Sequence, residues 1–437
     1  MRLLDLTGFT LFRKELAGLL AGRAFWVLLL VQALLTGSSY GQAISLYTQA
    51  SHTALSSPML AVGLSPLQGV LVPTFGSLYL GLTLLFPFVA IRQLAQERAD
   101  GTLPLLLQTR VPLAGWLTAK AAVLLLAILS LLAVPLSALV LWVGAGGHLA
   151  VAETSSLVLG YLLYAVLIGG LAWLAAAVME SAASAAILTL SATLGAWALD
   201  FAAAGDRGLW HSLGQLSLTA VLRRFESGLL GWGDVAGLLL AGVGLMVLAG
   251  IWLAPSRWQT RWGKALPTVL LVVGAVAVIS ATTRSADVSE DRRHSFAPAQ
   301  EQALATLAEP LRITAHLAPD DPRLTDLERN VLNKLGRSVP DMRVAVTGAS
   351  SLFAAQEEDN YGLIELEYAG RKTETRSTSP REILPLLWGL AGIPPPSADA
   401  PAYPGYPLEA ATQAANLWFY LLLPVLIGLG WWRTQRN

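Results

Sequence analysis

The stretch RQLAQERADGTLPLLLQTRVPLAGWLTAK, residues 92–120, is the one long charged interruption in the first series of apolar segments. Gly101 permits the positive φ that ends a helix, and Thr102 can cap the helix that follows. The stretch therefore predicts two short helical pieces joined at Asp100-Gly101-Thr102. The second piece, Leu103–Gln108, is apolar and is expected to lie at the membrane surface between two spans, where a soluble partner could dock.

The composition on either side of this stretch is typical of a polytopic membrane protein. Of the 437 residues, 54% are hydrophobic and 13% are charged, and the mean hydropathy is +0.56. A soluble domain carries about 25% charged residues. The chain has no cysteine, which excludes disulfides, thiolate metal sites and cysteine nucleophiles. The formal net charge of zero does not indicate any class of partner. No nucleic-acid partner is expected.

Apolar segments near the roughly 20 residues needed to cross a bilayer recur along the chain. Eight spans are predicted, at Ala24–Ala43, Val70–Ile91, Ala121–Gly144, Leu157–Val178, Ala182–Ala202, Val235–Leu253, Leu266–Ser280 and Leu417–Trp432.

The segment before the first span, Leu3–Leu20, has the pattern of an amphipathic helix. Its apolar side is formed by Leu6, Phe9, Phe12 and Leu16, and its charged side by Arg13, Lys14 and Glu15. This pattern favours a helix that lies in the membrane interface with its cations toward anionic headgroups. The alternative is a frayed start of the first span.

The distribution of Lys and Arg predicts the orientation. With the N-terminus in the cytoplasm, the inside loops hold thirteen basic residues, while the short outside loops at 47–68 and 145–155 hold none. Both termini are therefore expected in the cytoplasm. The outside segment Gly205–Asp234 is the exception, because it carries three arginines. It could form short helices that dip into the outer leaflet, or an ordinary loop packed on the bundle.

Residues 283–415 change to a polar, mixed-charge composition that must fold in water. Alternation over Leu311–Leu317 predicts a strand, Asp321-Pro322 a helix ended by Gly336, and Met342–Val346 a second, parallel strand. A hairpin is expected around Ala369-Gly370. The last helix is expected to open with a capping box, Ser379 to Glu382, and to stop near Gly392, before the Pro-rich linker 394–407. The fold class is thus a polytopic α-helical membrane protein with a small extracytoplasmic α/β domain.

The sequence offers little catalytic chemistry. It contains no phosphate-binding Gly-x-x-x-x-Gly-Lys-Ser/Thr loop, so the chain is not expected to hydrolyse nucleotide by that route. Its five histidines lack the spacing of metal ligands. The spans hold almost no ionisable groups, which disfavours a proton- or ion-coupled carrier. An enzyme is the least supported class, and no metal or cofactor is expected to bind this chain.

The 92–120 stretch resembles the coupling region of type 2 ABC transporter permeases. The resemblance rests on residues that match the family's pattern between its second and third spans: Glu97-Arg98, Gly101-Thr102-Leu103, Leu105-Leu106, Pro112 and Lys120. Further matches are Phe12-Arg13-Lys14-Glu15-Leu16 before the first span and Phe225–Leu229 before the sixth. Pro104 and Arg110-Val111 depart from that pattern. The resemblance covers roughly residues 1–253.

The remainder, residues 261–437, is similar to a shortened periplasmic component of gliding-motility-type ABC systems. The match is carried by Asp287–Ser289 and by the strand entry at Glu309–Ile313. The expected organisation is an interfacial helix (1–23), a six-helix permease domain with its coupling loop at 92–120 (24–254), a basic loop and seventh span (255–282), the extracytoplasmic domain (283–415), and the eighth span with a cytoplasmic tail (416–437).

The resemblance implies a permease subunit in the bacterial cytoplasmic membrane, driven by a separate cytoplasmic ABC ATPase that would bind ATP and Mg²⁺. A second permease copy or homologue would complete a dimer, and an extracytoplasmic protein is a possible further partner. The residues implied in ATPase coupling are Glu97, Arg98, Gly101, Thr102, Leu103, Leu105 and Leu106, with Arg13, Lys14 and Glu15 on the interfacial helix. The alternative function is mechanical: the subunit relays ATP-driven motion to an extracytoplasmic partner without moving a substrate.

Overall fold

The computed structural model describes residues 2–102, 112–203, 214, 217–282, 285–318, 321–347, 360–396 and 403–436. Eight helices in these ranges are long and apolar enough to cross a membrane, so the chain is a multi-pass helical membrane protein. In order, the spans are Arg23–Ser56, Leu67–Ala99, Leu113–Gly144, Val151–Val178, Ala182–Ala202, Trp232–Leu253, Trp258–Ile279 and Gln413–Arg436. All eight predicted spans are confirmed.

The chain forms two compact units. The first consists of Met1–Ala198, Leu218–Ala286 and Pro404–Asn437, and the second of Leu199–Ser217 and Asp287–Tyr403. An N-terminal helix, Arg2–Ala21, precedes the first span, as predicted from its spacing of apolar residues. Leu19 is buried in the core of the first unit, whereas Phe9, predicted on the apolar side, is largely exposed.

Several spans are longer than their hydropathy indicates. The helix of the first span continues to Ser56, although its predicted end was Ala43 and the loop was expected from Tyr47. The third span begins at Leu113, directly after Pro112, so Lys120 lies inside a helix and not in a loop. The predicted ends were wrong because hydropathy detects the part of a helix in lipid, while polar residues continue a helix when neighbouring segments pack on it.

The second span is an interrupted helix. Two π-helical turns, Leu67–Leu71 and Gly81–Leu85, flank the α-helix Val72–Leu80, and the α-helix Phe86–Ala99 completes the span. Gly81 faces the amide of Gln32 on the first span so closely that a Cβ there would overlap the Gln32 side-chain oxygen. Gln32 also donates to Thr36 Oγ1 at 2.9 Å and to Ser77 Oγ at 3.2 Å. Buried polar groups thus join the first two spans.

The fourth and sixth spans touch through their backbones. A Cβ at Gly170 would overlap the carbonyl oxygen of Gly242, and Gly242 in turn lies against the backbone of Leu167. Paired small residues allow this close approach of helices in a membrane protein. The two glycines therefore fix the sixth span against the fourth. The fourth span is buried more than most other spans.

The eighth span packs on the first and third. Phe419 fills the space over Gly37, and its ring lies 6.1 Å from that of Tyr40. The indole of Trp418 donates to Ser137 Oγ on the third span at 2.8 Å. These contacts place the C-terminal helix beside the start of the chain, where Thr434 donates to the carbonyl of Leu20.

The chain before the eighth span is hydrogen-bonded to the end of the first. Tyr47 donates to the Tyr406 carbonyl at 2.7 Å, and the Leu408 amide donates to Ser51 Oγ at 2.9 Å. The Tyr406 ring also stacks on His148 at 3.6 Å. The extension of the first helix to Ser56 provides these partners. The end of the predicted Pro-rich linker is therefore held by specific contacts.

The segment 205–234 is described in its second half. A helix, Leu218–Glu226, and a short strand, β1 (Leu229–Gly231), precede the sixth span. Strand β2, Ser285–Asp287, pairs with β1. Phe225 is buried against the fourth span over Gly160. The described half combines parts of both alternatives, because it contains the short helix of the first and packs on the bundle as in the second.

The second unit contains a four-stranded mixed sheet. Strands β3 (Leu311–Ala315), β4 (Met342–Val346), β5 (Ile364–Tyr368) and β6 (Arg371–Thr375) lie in the order β4-β3-β5-β6. Strands β3 and β4 are parallel, and β5 and β6 form the hairpin, so both predicted pairings are confirmed. Ala369 and Gly370 have positive φ, as a tight hairpin turn requires.

Helices bury one face of this sheet. They are Pro298–Ala305, the continuous segment Pro322–Ser338 and Pro380–Ala391. Ile313 and Leu366 of the sheet are fully buried in a core with Leu327. The predicted stop at Gly336 is wrong, because the helix runs two residues further, to Ser338.

The last helix of this unit opens and closes nearly as predicted. Ser379 caps it, but its hydroxyl accepts from the amide of Arg381 and not from that of Glu382, so the predicted box is only partly formed. Gly392 has φ +67° and ends the helix in the left-handed conformation.

Candidate functional site

Four charged side chains converge where the N-terminal helix meets the second and third spans. Lys14 and Glu15 come from the N-terminal helix, Glu97 from the last turn of the second span, and Lys120 from the second turn of the third. Lys120 Nζ lies 2.6 Å from Glu15 Oε2 and 3.3 Å from Glu97 Oε2. Lys14 Nζ lies 3.0 Å from Glu97 Oε1. We call these four residues the charged cluster.

Nearly all the N–H donors of the Lys120 ammonium have a partner. Besides the two carboxylates, it donates to the main-chain carbonyl of Gln93 at 2.7 Å. It also lies 4.8 Å from the centre of the Trp116 ring, within the range of a cation–π contact. Its side chain is only 1% exposed. Burial of an ammonium is costly unless opposite charges and hydrogen-bond acceptors surround it, as they do here.

Lys14 closes the cluster on its open side. Its side chain is 54% exposed, and its ammonium contacts both Glu97 and, at 3.7 Å, Glu15. Partial burial lowers its pKa, but the hydrogen bond and charge of Glu97, together with the charge of Glu15, outweigh this and raise the pKa of Lys14 above its usual value. The cluster therefore contains two cations and two anions and is neutral overall.

Arg98 joins the second span to the fourth. Its guanidinium donates to the carbonyls of Ala176, Ala177 and Met179 at 2.6, 3.1 and 2.9 Å. These carbonyls belong to the last turn of the fourth span, where main-chain acceptors have no partner within the helix. A cation is also favoured there by the helix dipole. Arg98 thus caps one membrane helix from another.

The turn after the second span is closed by its own backbone. Gly101 has φ +65°, as predicted, and the amide of Thr102 donates to the Glu97 carbonyl at 3.0 Å. The Thr102 hydroxyl also donates to that carbonyl, at 3.2 Å. The described bonds of Thr102 complete the helix before it, and its capping of the helix after it stays a prediction. The predicted helix Leu103–Gln108 lies outside the described residues.

A cavity of about 520 Å³ opens beside the cluster, between the N-terminal helix and the first two spans. Charged and amide side chains line it together with Gly22 and Phe25: Lys14, Arg92, Gln93, Gln96, Glu97 and Asp100. Residue Thr102, the last described residue before the 103–111 segment, also lines it. The cavity can therefore accept polar groups next to the segment predicted to dock a partner.

The structure brings together most, but not all, of the predicted coupling residues. Lys14, Glu15 and Glu97 are in the cluster, and Arg98 and Gly101 flank it. Arg13 points away, with its guanidinium 5.9 Å from the exposed Phe9 ring. The structure does not describe Leu103, Leu105 or Leu106.

Sequence reasoning missed the roles of Lys120 and Gln93. Lys120 was taken as the last residue of a loop because it precedes the apolar run at Ala121. A lysine one helical turn after Trp116 was the available signal, since the pair can contact on a helix that starts earlier. The Gln93 contribution comes from its main-chain carbonyl, which no sequence pattern reveals.

The second unit contains a different polar arrangement at the end of β3. His316 lies between Thr347 Oγ1, 3.2 Å from its Nδ1, and Glu365 Oε1, 3.2 Å from its Nε2. The order hydroxyl, imidazole, carboxylate is that of a nucleophile and its base. However, Thr347 is exposed at the end of an edge strand. A catalytic hydroxyl is usually held at a sharp turn beside oxyanion donors, so we interpret this group as a surface hydrogen-bond chain.

Comparison of the chain with family models, with curated proteins and with solved structures found no match. The functional argument therefore rests on the geometry of the first unit.

Proposed function

We propose that this chain is the membrane-spanning permease subunit of an ABC-type transporter, driven by a separate cytoplasmic ATPase that docks on the segment 103–111. One observation carries the proposal: Glu97, six residues before that segment, and Lys120, nine residues after it, form an ion pair at 3.3 Å. The two arms of the segment are thus fastened to each other and, through Glu15, to the N-terminal helix.

This arrangement suits the transmission of a force. A displacement of the docking segment would move the second span, the third span and the N-terminal helix together, because the buried ion pairs resist separation. Arg98 would carry the displacement to the end of the fourth span. The π-helical turn Gly81–Leu85 interrupts the second span further along, and such turns often mark places where a helix changes shape.

The proposed orientation places the cluster and both termini in the cytoplasm of a bacterial cell, by the Lys and Arg asymmetry of the loops. The sheet-containing second unit would then be the extracytoplasmic α/β domain. The membrane bundle would work as a dimer of this chain or of this chain and a homologue.

Purification of the tagged full chain from its native membranes tests the proposal. We expect an ATPase with a phosphate-binding loop to co-purify, identified by mass spectrometry and by ATP hydrolysis. The double variant Leu103→Asp/Leu106→Asp should lose it and should retain its elution volume and Tm. The control is Leu55→Asp/Leu60→Asp. Leu55 lies at the opposite end of the first span and Leu60 in the short helix after it, Pro58–Ala61, and both leucines are exposed. ATPase retention by the Leu103/Leu106 variant would refute docking on this segment.

A second candidate, the relay of motion to an extracytoplasmic partner, is favoured by the contacts around Tyr406. The first span is hydrogen-bonded to the chain segment through which the second unit connects to the eighth span. Movement of the first span would therefore pull on that segment. We expect hydrogen exchange over residues 403–410 to change with nucleotide in the ATPase complex, and this change should disappear in Tyr47→Phe/Ser51→Ala. Exchange that is insensitive to nucleotide would rule the relay out.

A further inference from the structure

Three tryptophans and three cations gather where the sixth span ends and the seventh begins. The rings of Trp252, Trp258 and Trp262 contact one another edge to face, with centroids 5.4–5.7 Å apart. Trp258 and Trp262 are about half exposed. Amphipathic indoles of this kind hold a helix end at the level of the lipid headgroups.

The three cations near these rings in sequence are Arg257, Arg261 and Lys264. Acidic residues are absent from the sequence around them, and the described residues show no ion pair to them. Residues 235–286 contain no Asp or Glu. Within the described residues, no ion pair is recorded for Arg257, Arg261 or Lys264. Arg261 makes only a long contact, 3.5 Å, from one terminal nitrogen to the Ala254 carbonyl, and the described atoms leave its Nε without a partner. The corner therefore has positive charge that the described part of the chain does not neutralise.

The first turn of the seventh helix adds main-chain donors. The helix begins at Trp258, and the first recorded main-chain bond of this turn runs from the Arg261 amide to the Arg257 carbonyl. Amides at a helix start, together with the positive end of its dipole, favour an anionic oxygen. These main-chain amides lie in the same short segment as Arg257, Arg261 and Lys264.

The seventh helix also offers an apolar surface on which an acyl chain attached to the bound anionic group could lie. Lys264, Leu271 and Val278 are spaced seven residues apart, so they lie on one side of the helix at increasing depth. Leu271 is 72% exposed and Val278 is 63% exposed. The seventh span is buried less than any other span in the described residues, so the described chain leaves this surface uncovered and open to lipid.

We propose that the corner of the sixth and seventh spans binds the phosphate of an anionic phospholipid through Arg257, Arg261 and Lys264, with one acyl chain along Leu271 and Val278. The ligand is a lipid and not free phosphate, because the cations continue into an exposed apolar stripe and the tryptophans place them at headgroup level. This inference does not depend on the proposed transport function.

Native mass spectrometry of the full chain in detergent, titrated with phosphatidylglycerol or phosphatidylcholine, tests the site. We expect preferential retention of phosphatidylglycerol. The variant Arg257→Gln/Lys264→Gln should weaken its binding roughly 30-fold, from about fivefold for each cation near a membrane surface. Arg433→Gln/Arg436→Gln, which removes the same charge from the C-terminal end of the eighth span, should leave it unchanged. Equal weakening by both variants would show general attraction to charge and would overturn the site.

The acyl contact has its own control. Leu271→Asn should weaken binding of long-chain phosphatidylglycerol relative to the short dihexanoyl form. Leu270 is 63% exposed on a neighbouring side of the helix, and Leu270→Asn should not weaken this binding. Displacement of the lipid by inorganic phosphate at equal concentration, or identical behaviour of the two leucine variants, would refute the assignment of a lipid.

Discussion

Lys120 Nζ lies 2.6 Å from Glu15 Oε2, and this pair joins the third span to the helix that precedes the first span. The lysine side chain is almost fully buried, and the glutamate is 10% exposed. The two residues are far apart in sequence, so only the packed bundle brings them together. Stability and the proposed coupling both depend on this contact.

Replacement of Lys120 by methionine should strongly destabilise the protein. Glu15 and Glu97 would keep only the half-exposed Lys14 as a cation and would lose their one buried partner. Breaking a buried pair in this way costs about 3–5 kcal/mol. The free energy of unfolding in mixed micelles measures the loss. Lys14→Met should cost about 1 kcal/mol or less, because its half-exposed ammonium is screened by water. Adding Glu15→Gln to Lys120→Met should recover part of the stability. A Lys120→Met variant as stable as Lys14→Met would contradict the cluster.

Replacement of Arg98 by alanine should loosen the end of the fourth span. Three main-chain carbonyls would lose a charged donor, and we expect a cost of about 2–3 kcal/mol. Hydrogen exchange should rise over residues 174–179, whose helix end Arg98 caps. Lysine at this position should restore part of the protection, since an ammonium can reach fewer carbonyls than the guanidinium fork. Unchanged exchange in Arg98→Ala would show that the cap has no structural effect.

Replacement of Gly101 by alanine should cost about 1 kcal/mol, because its left-handed backbone conformation strains a residue with a Cβ. No atom lies within 4 Å of that Cβ position, so the cost is conformational and not steric. Gly144 is the matched control, since it ends the helix of the third span, has equally open surroundings and lacks the positive φ. Gly144→Ala should be neutral or slightly stabilising. Equal Tm values for the two variants would disprove the role of the turn.

Replacement of Gly81 by alanine should destabilise the contact between the first and second spans. The new methyl would overlap the side-chain oxygen of Gln32, whose buried amide is held by hydrogen bonds to Thr36 and Ser77. Displacing this amide would overpack the contact, at a cost of about 1–3 kcal/mol. Gly76, in the same span, has open space around its Cβ position, so Gly76→Ala should be neutral or stabilising. Gln32→Ala combined with Gly81→Ala should remove the overlap. If Gln32→Ala did not restore any of the stability lost in Gly81→Ala, the overlap with Gln32 would not be the cause of the loss.

Asp287 should make the stability of the protein depend on pH. Partial burial raises its pKa, but hydrogen bonds from Ser289, Ser295 and the His294 amide outweigh this and hold the pKa below the ordinary 3.8. A carboxyl with a lowered pKa contributes stability at neutral pH, and this contribution disappears as the pH falls below about 4. The Tm difference between wild type and Asp287→Asn should therefore be largest near pH 7 and shrink toward pH 3. A difference that is constant with pH would exclude this role.

Much of the architecture was predictable from local patterns. Hydropathy located all eight spans, and alternation located the strands β3 and β4 and their parallel pairing, because burial imposes these periodicities directly on the sequence. Gly101, Gly370 and Gly392 were identified as turns or helix ends, and each has a positive φ. The helix ends were less predictable. Lys120 and Ser56 are polar residues in helices that continue because distant segments pack on them.

The sequence by itself determined which residues enter the membrane, where the backbone must turn, and that Lys14, Glu15, Glu97 and Arg98 are unusual charges beside apolar spans. These are local properties, set by side-chain hydrophobicity and backbone sterics. Only the tertiary structure decided which charges meet. Lys120 finds Glu15 and Glu97, and Arg98 finds the end of the fourth span, because a buried charge must be neutralised by whichever groups the packed helices bring within reach.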